Sequence, residues 1–84
     1  MSEFDTMKNM FIREGVKFVE ENEKEIDEET GIESNTTFLC VPAVADEFLI
    51  LGFDEDGSLI YVDVGADWDD YLERVKELED VKIY

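Results

Sequence analysis

The sequence predicts an α+β domain: a long N-terminal helix, a three-stranded antiparallel meander, a C-terminal amphipathic helix and a short fourth strand. Three observations carry this expectation. Phe4, Met7, Phe11, Phe18 and Ile26 keep helical spacing, with Ile12, Val16 and Val19 widening the stripe. Three runs rich in β-branched and aromatic residues are separated by Pro42 and by Asp54-Glu55-Asp56-Gly57. Trp68, Tyr71, Leu72, Val75 and Leu78 then fall at i, i+3, i+4, i+7 and i+10. With 84 residues, the chain is expected to form one domain over positions 1–84.

The first helix is expected from Glu3 to about Glu29. Ser2-Glu3-Phe4-Asp5 has the form of a capping box, with Asp5 in the place of the usual Glu or Gln. Gly15 falls inside the apolar stripe, where it marks a kink or a close approach, and Gly31 suits the C-terminal stop. The tail of this helix, Glu20 to Glu29, carries seven acids in ten residues. Acids near a helix C-terminus oppose the helix dipole, so a helix here would carry an electrostatic penalty, and that suggests the charge has a use. Glu20 and Lys24 would form an i, i+4 pair.

The strands are expected at Asn35–Val41, Glu47–Phe53 and Ser58–Val64, with Gly57 at a positive-φ position of the hairpin turn. The middle strand is apolar on both faces, so helices or another subunit should cover both sides of the sheet. If both helices lie on one face, the other face makes a two-fold dimer, the arrangement this reading favours. The second helix is expected over Asp67–Leu78, with Asp67, Asp69 and Asp70 suited to its cap and first turn. Val81–Tyr84 alternates as a short strand would.

Composition narrows the function. Acids number 24 and bases 7, for a net charge of −17, yet 44% of the residues are hydrophobic and 12% aromatic, too many for a disordered acidic tail. The absence of His removes imidazole catalysis and imidazole metal ligands, and a single Cys removes a disulfide or a cysteine zinc site. A surface this negative disfavours direct contact with nucleic acid or an anionic membrane. No apolar run approaches a membrane span and no signal peptide is visible, so a cytoplasmic protein is expected.

Motifs for chemistry are few. Asp54, Asp56 and Gly57 imitate the centre of an EF-hand loop, but Gly52 stands at its first ligand position and strands flank it; a plain turn is expected and no metal. Asp63, Asp67, Asp69 and Asp70 cluster without a phosphate loop, a nucleophile or a basic clamp, and capping explains the last three. Cys40 reads as a small core residue, and Trp68 and Tyr71 as core aromatics. No cofactor and no enzymatic activity are expected.

The acidic surface remains, and it has a geometric reading. Helical rows of carboxylates such as Glu21, Glu25 and Glu28 would lie ~5–6 Å apart and stand in for phosphates of a DNA backbone. The expected partner-binding acids are Glu21, Glu25, Glu28, Glu29, Asp54, Asp56, Asp67, Asp69 and Asp70. In its size, its −17 charge and its helix-plus-small-sheet pattern the chain resembles the acidic DNA-mimic inhibitors encoded by bacteriophages. That resemblance implies an inhibitor that occupies a basic nucleic-acid-binding protein of the host; it is one of class and assigns no residue. The stretch Phe48–Val64 followed by Trp68–Leu72 is similar to the central hairpin of the SUKH immunity-protein superfamily, which would imply an antitoxin neutralising a toxin. A generic acidic interaction module is the third reading.

Overall fold

The computed structural model describes residues 2–78 and 81–84. Its elements are α1 (Glu3–Arg13), β1 (Val19–Ile26), β2 (Glu33–Pro42), β3 (Glu47–Phe53), β4 (Leu59–Ala66), α2 (Trp68–Val75) and β5 (Val81–Ile83). The strands form one antiparallel sheet in the order β4-β3-β2-β1-β5. The α+β class is as expected; the meander has four strands rather than three, and the short strand after α2 joins it at β1.

The first helix is much shorter than its periodicity suggested. Ser2 caps it, its Oγ accepting the Asp5 N–H at 3.1 Å. The helix stops because Gly15 takes φ +69°, which closes a Schellman motif: the Gly15 N–H donates to the Ile12 carbonyl and the Val16 N–H to that of Phe11. Val16 and Phe11 pack on the same core, the apolar contact that accompanies such caps. Gly15 is therefore the stop and not a kink, and Gly31 (φ +71°) turns the β1–β2 hairpin.

The acid-rich run expected as helix is strand β1. Phe18 and Val19 are both buried, yet they serve opposite cores, which neighbouring residues do on a strand and not on a helix. The run thereby escapes the helix-dipole penalty that would have burdened it. The expected Glu20–Lys24 pair is also replaced. Lys24 Nζ lies 3.8 Å from Glu33 across the hairpin, and Lys8 of α1 lies 2.8 Å from Glu20.

Each helix takes one face of the sheet. Under α1, Phe18, Leu39, Val41, Leu51 and Phe53 form a core with Phe4, Met7 and Phe11. Under α2, Val19, Cys40, Phe48, Tyr71 and Val75 form a second core. The arrangement with both helices on one face, on which the expected dimer rested, is thus not the one adopted. α2 spans Trp68–Val75 and is capped as expected by Asp67, whose Oδ1 accepts the Asp70 N–H at 3.3 Å. The β3–β4 turn carries Gly57 at φ +81°. Its carbonyl accepts the Phe4 N–H at 2.9 Å, and the Leu59 N–H donates to Glu3 at 2.8 Å, so this turn is tied to the start of α1.

Candidate functional site: an acidic end and an apolar groove

Antiparallel register fixes where the acids go. β1 and β3 run toward one end of the sheet, so the turn between β1 and β2 and the turn between β3 and β4 share that end. Thr37 pairs with Phe53, which leaves the Glu33–Thr36 stretch of the first hairpin projecting ~13 Å beyond the end of β3. Of the acids expected to bind a partner, this end gathers Glu25 on the projecting strand, Glu28 and Glu29 in its turn, and Asp54 and Asp56 in the neighbouring turn. The Asn35 N–H donates to Glu55 at 3.0 Å and links the two.

Asp67, Asp69 and Asp70 lie at the opposite end, where β4 leads into α2. Asp67 caps the helix and Asp70 lies 3.7 Å from Arg74, so two of the three have structural work. Asp54 is also engaged: its Oδ1 accepts the N–H groups of Asp56 and Ser58 at 3.0 and 2.9 Å, which shapes the turn. The nine expected acids therefore do not form one surface.

The strand changes the pitch of the carboxylates. Alternate residues share a face, so Glu21, Glu23 and Glu25 stand in one row at ~6.8 Å, not the ~5–6 Å of a helix. That is about twice the 3.4 Å axial rise per nucleotide of a DNA strand. Two unit charges at this distance repel by only about 0.6 kcal/mol in bulk water, a cost that an exposed hairpin tolerates.

Glu21 is set apart from the row. It is half-buried and accepts the Tyr71 hydroxyl at 2.5 Å, with the Cys40 thiol 3.9 Å away. Burial foremost, then the hydrogen bonds to Cys40 and Glu21, push the Tyr71 phenol up from its ordinary range. Burial likewise pushes the Cys40 thiol up to about 11. Such a thiol is protonated at neutral pH and a poor nucleophile, in keeping with its expected core role. Among the described residues no group of three or more acids or thiols is arranged to hold a metal ion.

The sequence reading missed a groove beside α2. It measures about 610 Å³, and Phe38, Ile50, Ile60, Tyr61 and Leu78 line it, with Glu21 and Glu23 on one side. Its origin is a mismatch of size. Five strands make a sheet ~19 Å across, and one helix of ~10–12 Å diameter covers about half of it. On this face β4 is left bare: Ile60 is 60% exposed and Tyr61 46%. The signal was present in Leu59-Ile60-Tyr61-Val62, an uninterrupted apolar run beside a turn, where a strand covered on one face only would alternate.

No helix among the described residues is long and apolar enough to cross a membrane. In comparisons with known proteins, the chain matches no family model, no curated protein and no solved structure.

Proposed function

We propose that the chain is a non-enzymatic anionic inhibitor that occupies the DNA-binding surface of a basic protein. The observation that carries this reading is the projecting β1–β2 hairpin. Between Glu23 and Glu33 it bears six acids against the single base Lys24, and the Asp54–Asp56 turn adds to the same end. The acids supporting the reading are Glu23, Glu25, Glu28 and Glu29, with Asp54 and Asp56 beside them. Glu21, Asp67 and Asp70 contribute to the fold. A cationic cleft that follows a phosphate backbone would receive this end, and its field would steer the encounter.

The partner is sought by capture from bacterial lysate with elution by a salt gradient, followed by competition against duplex DNA in a gel shift. Mutually exclusive binding that weakens with salt is the expected result, since the contacts are screened over ~8–10 Å at ordinary ionic strength. A stable ternary complex of partner, DNA and this chain would refute replacement of DNA.

A further inference from the structure

β4 is an outer strand of the sheet, and the ladder beside it fixes where its backbone groups point. The Ala43 N–H donates to the Glu47 carbonyl, so Glu47, and with it Leu49, Leu51 and Phe53, direct their backbone groups at β2. Phe48, Ile50 and Gly52 are left to bond β4 through Gly65, Asp63 and Tyr61. The N–H and carbonyl groups of Val62, Val64 and Ala66 therefore point away from the sheet. Apolar side chains flank them on both faces. Val62 and Val64, 59% and 54% exposed, lie on the face of α1, and Tyr61 lies on the face of α2. The strand has eight residues with one acid, Asp63, and no lysine or proline, and its one irregularity lies at the Leu59 end. An edge so long and so lightly charged invites another strand.

Asp63 stands in the middle of that edge. Its Oδ1 accepts the outward Val64 N–H at 2.8 Å, and its Oδ2 accepts the Tyr61 hydroxyl at 2.8 Å. The carboxylate takes a donor that an added strand would need, and the tyrosine holds the carboxylate in place. These bonds, the Tyr61 hydroxyl first, keep the Asp63 carboxyl below its ordinary pKa range, so it is anionic at neutral pH.

We infer that Asp63 closes the β4 edge, and that the strand it excludes is β4 of a second copy of this chain. Antiparallel pairing of a strand with itself about a two-fold axis is self-complementary. The register that engages all three outward residues sets Val64 opposite Val64 and Val62 opposite Ala66, with Asp63 opposite Gly65. Its central bonds run from the Val64 N–H of each copy to the Val64 carbonyl of the other. That N–H is the one Asp63 holds. The same register brings the two Asp63 carboxylates to diagonal positions roughly 7–8 Å apart, so their repulsion adds to the loss of the donor.

The test uses the full chain. Native-state hydrogen exchange should show the Val64 amide at least tenfold more protected than the Val62 amide, although both point away from the sheet. Asp63→Ala at low concentration should remove that difference. In sedimentation equilibrium at micromolar concentration the parent should run as a single chain and Asp63→Ala as a dimer. Asp56→Ala, which makes the same change in net charge at a turn, should stay a single chain. Asp63→Ala/Val62→Lys, which returns a charge to the edge at an exposed position, should dissolve the dimer, and all variants should keep the circular dichroism of the parent. A Val64 amide no more protected than that of Val62 would overturn the inference, a result that needs only the parent chain. So would a folded Asp63→Ala that remains a single chain, or a dimer that survives Val62→Lys.

Discussion

Replacing Gly65 with Ala tests the packing that holds α2 on the sheet. Gly65 on β4 faces Phe48 on β3, and a Cβ at that position would meet Phe48 ring carbons at 2.4, 2.7 and 2.8 Å. Carbon atoms rest at about 3.5–4.0 Å, so the ring must retreat by more than ~1 Å. It has little room to do so, because it is buried, stacked on Tyr71 at 4.6 Å and tilted against Trp68 at 5.5 Å. Forcing such a shift costs about 1–3 kcal/mol, and a smaller gain of about 0.4–1 kcal/mol comes from stiffening the unfolded chain. The net loss is about 1–2 kcal/mol. For a domain of this size that lowers Tm by roughly 5–15 °C. Thermal and urea unfolding followed by circular dichroism would measure it. Gly65→Ala/Phe48→Leu should cost less than the sum of its single changes, because the clash is shared. A Gly65→Ala variant as stable as the parent would refute the reasoning.

Lys8→Met should destabilise by about 2–3 kcal/mol in urea unfolding, since it strands the buried Glu20 carboxylate, whose Oε1 has no hydrogen bond to take the ion pair's place. Adding Glu20→Leu should recover most of the loss. Cys40 should react with a thiol reagent at pH 8 only after unfolding, because with its thiol pushed up to about 11 only about one native molecule in a thousand is thiolate there. The sign for stability follows. The native thiol holds its proton more tightly than the unfolded one, so its contribution is intact below the ordinary thiol pKa and is lost as pH rises through about 11; stability against pH measures it. Glu23→Thr/Glu25→Thr should raise Tm by a few degrees while weakening partner binding, because threonine suits a strand and the row of like charges is thinned.

Much of the fold was legible where local chemistry decides. Ser2 and Asp67 cap the helices, Pro42 and Gly57 punctuate the strands, and Cys40 and Tyr71 are core. β1 was not legible, because only Val19 and Ile26 of its eight residues are apolar and the pairing that makes it a strand comes from β2 and β5. Phe18 and Ile26 continued the helical spacing of Phe4–Phe11 by coincidence, and Gly15 in mid-stripe was the contrary sign. The site was legible in composition and not in place: which acids meet at one end depends on strand direction, and the groove on a helix shorter than its pattern.

The strand order also bears on how the chain folds. From β1 to β4 every neighbour in the sheet is a neighbour in sequence, so three hairpins close through short loops. β5 is the exception. It pairs Ile83 with Val19 and Val81 with Glu21, closing a loop of roughly sixty residues, and the Tyr84 N–H bonds the Phe18 carbonyl beside it. Three residues make a weak closure, so β5 is the unit expected to open first in native-state hydrogen exchange. β5 covers β1 only from Val19 to Glu21, and when it opens the edge already present beyond Glu21 extends over the whole strand; an open edge invites pairing with another chain. The outward backbone of β1 is then flanked by Glu20, Glu21, Glu23 and Glu25, whose charge repels another copy of the same strand. The acids of β1 thus guard against aggregation at the moment the sheet is least complete.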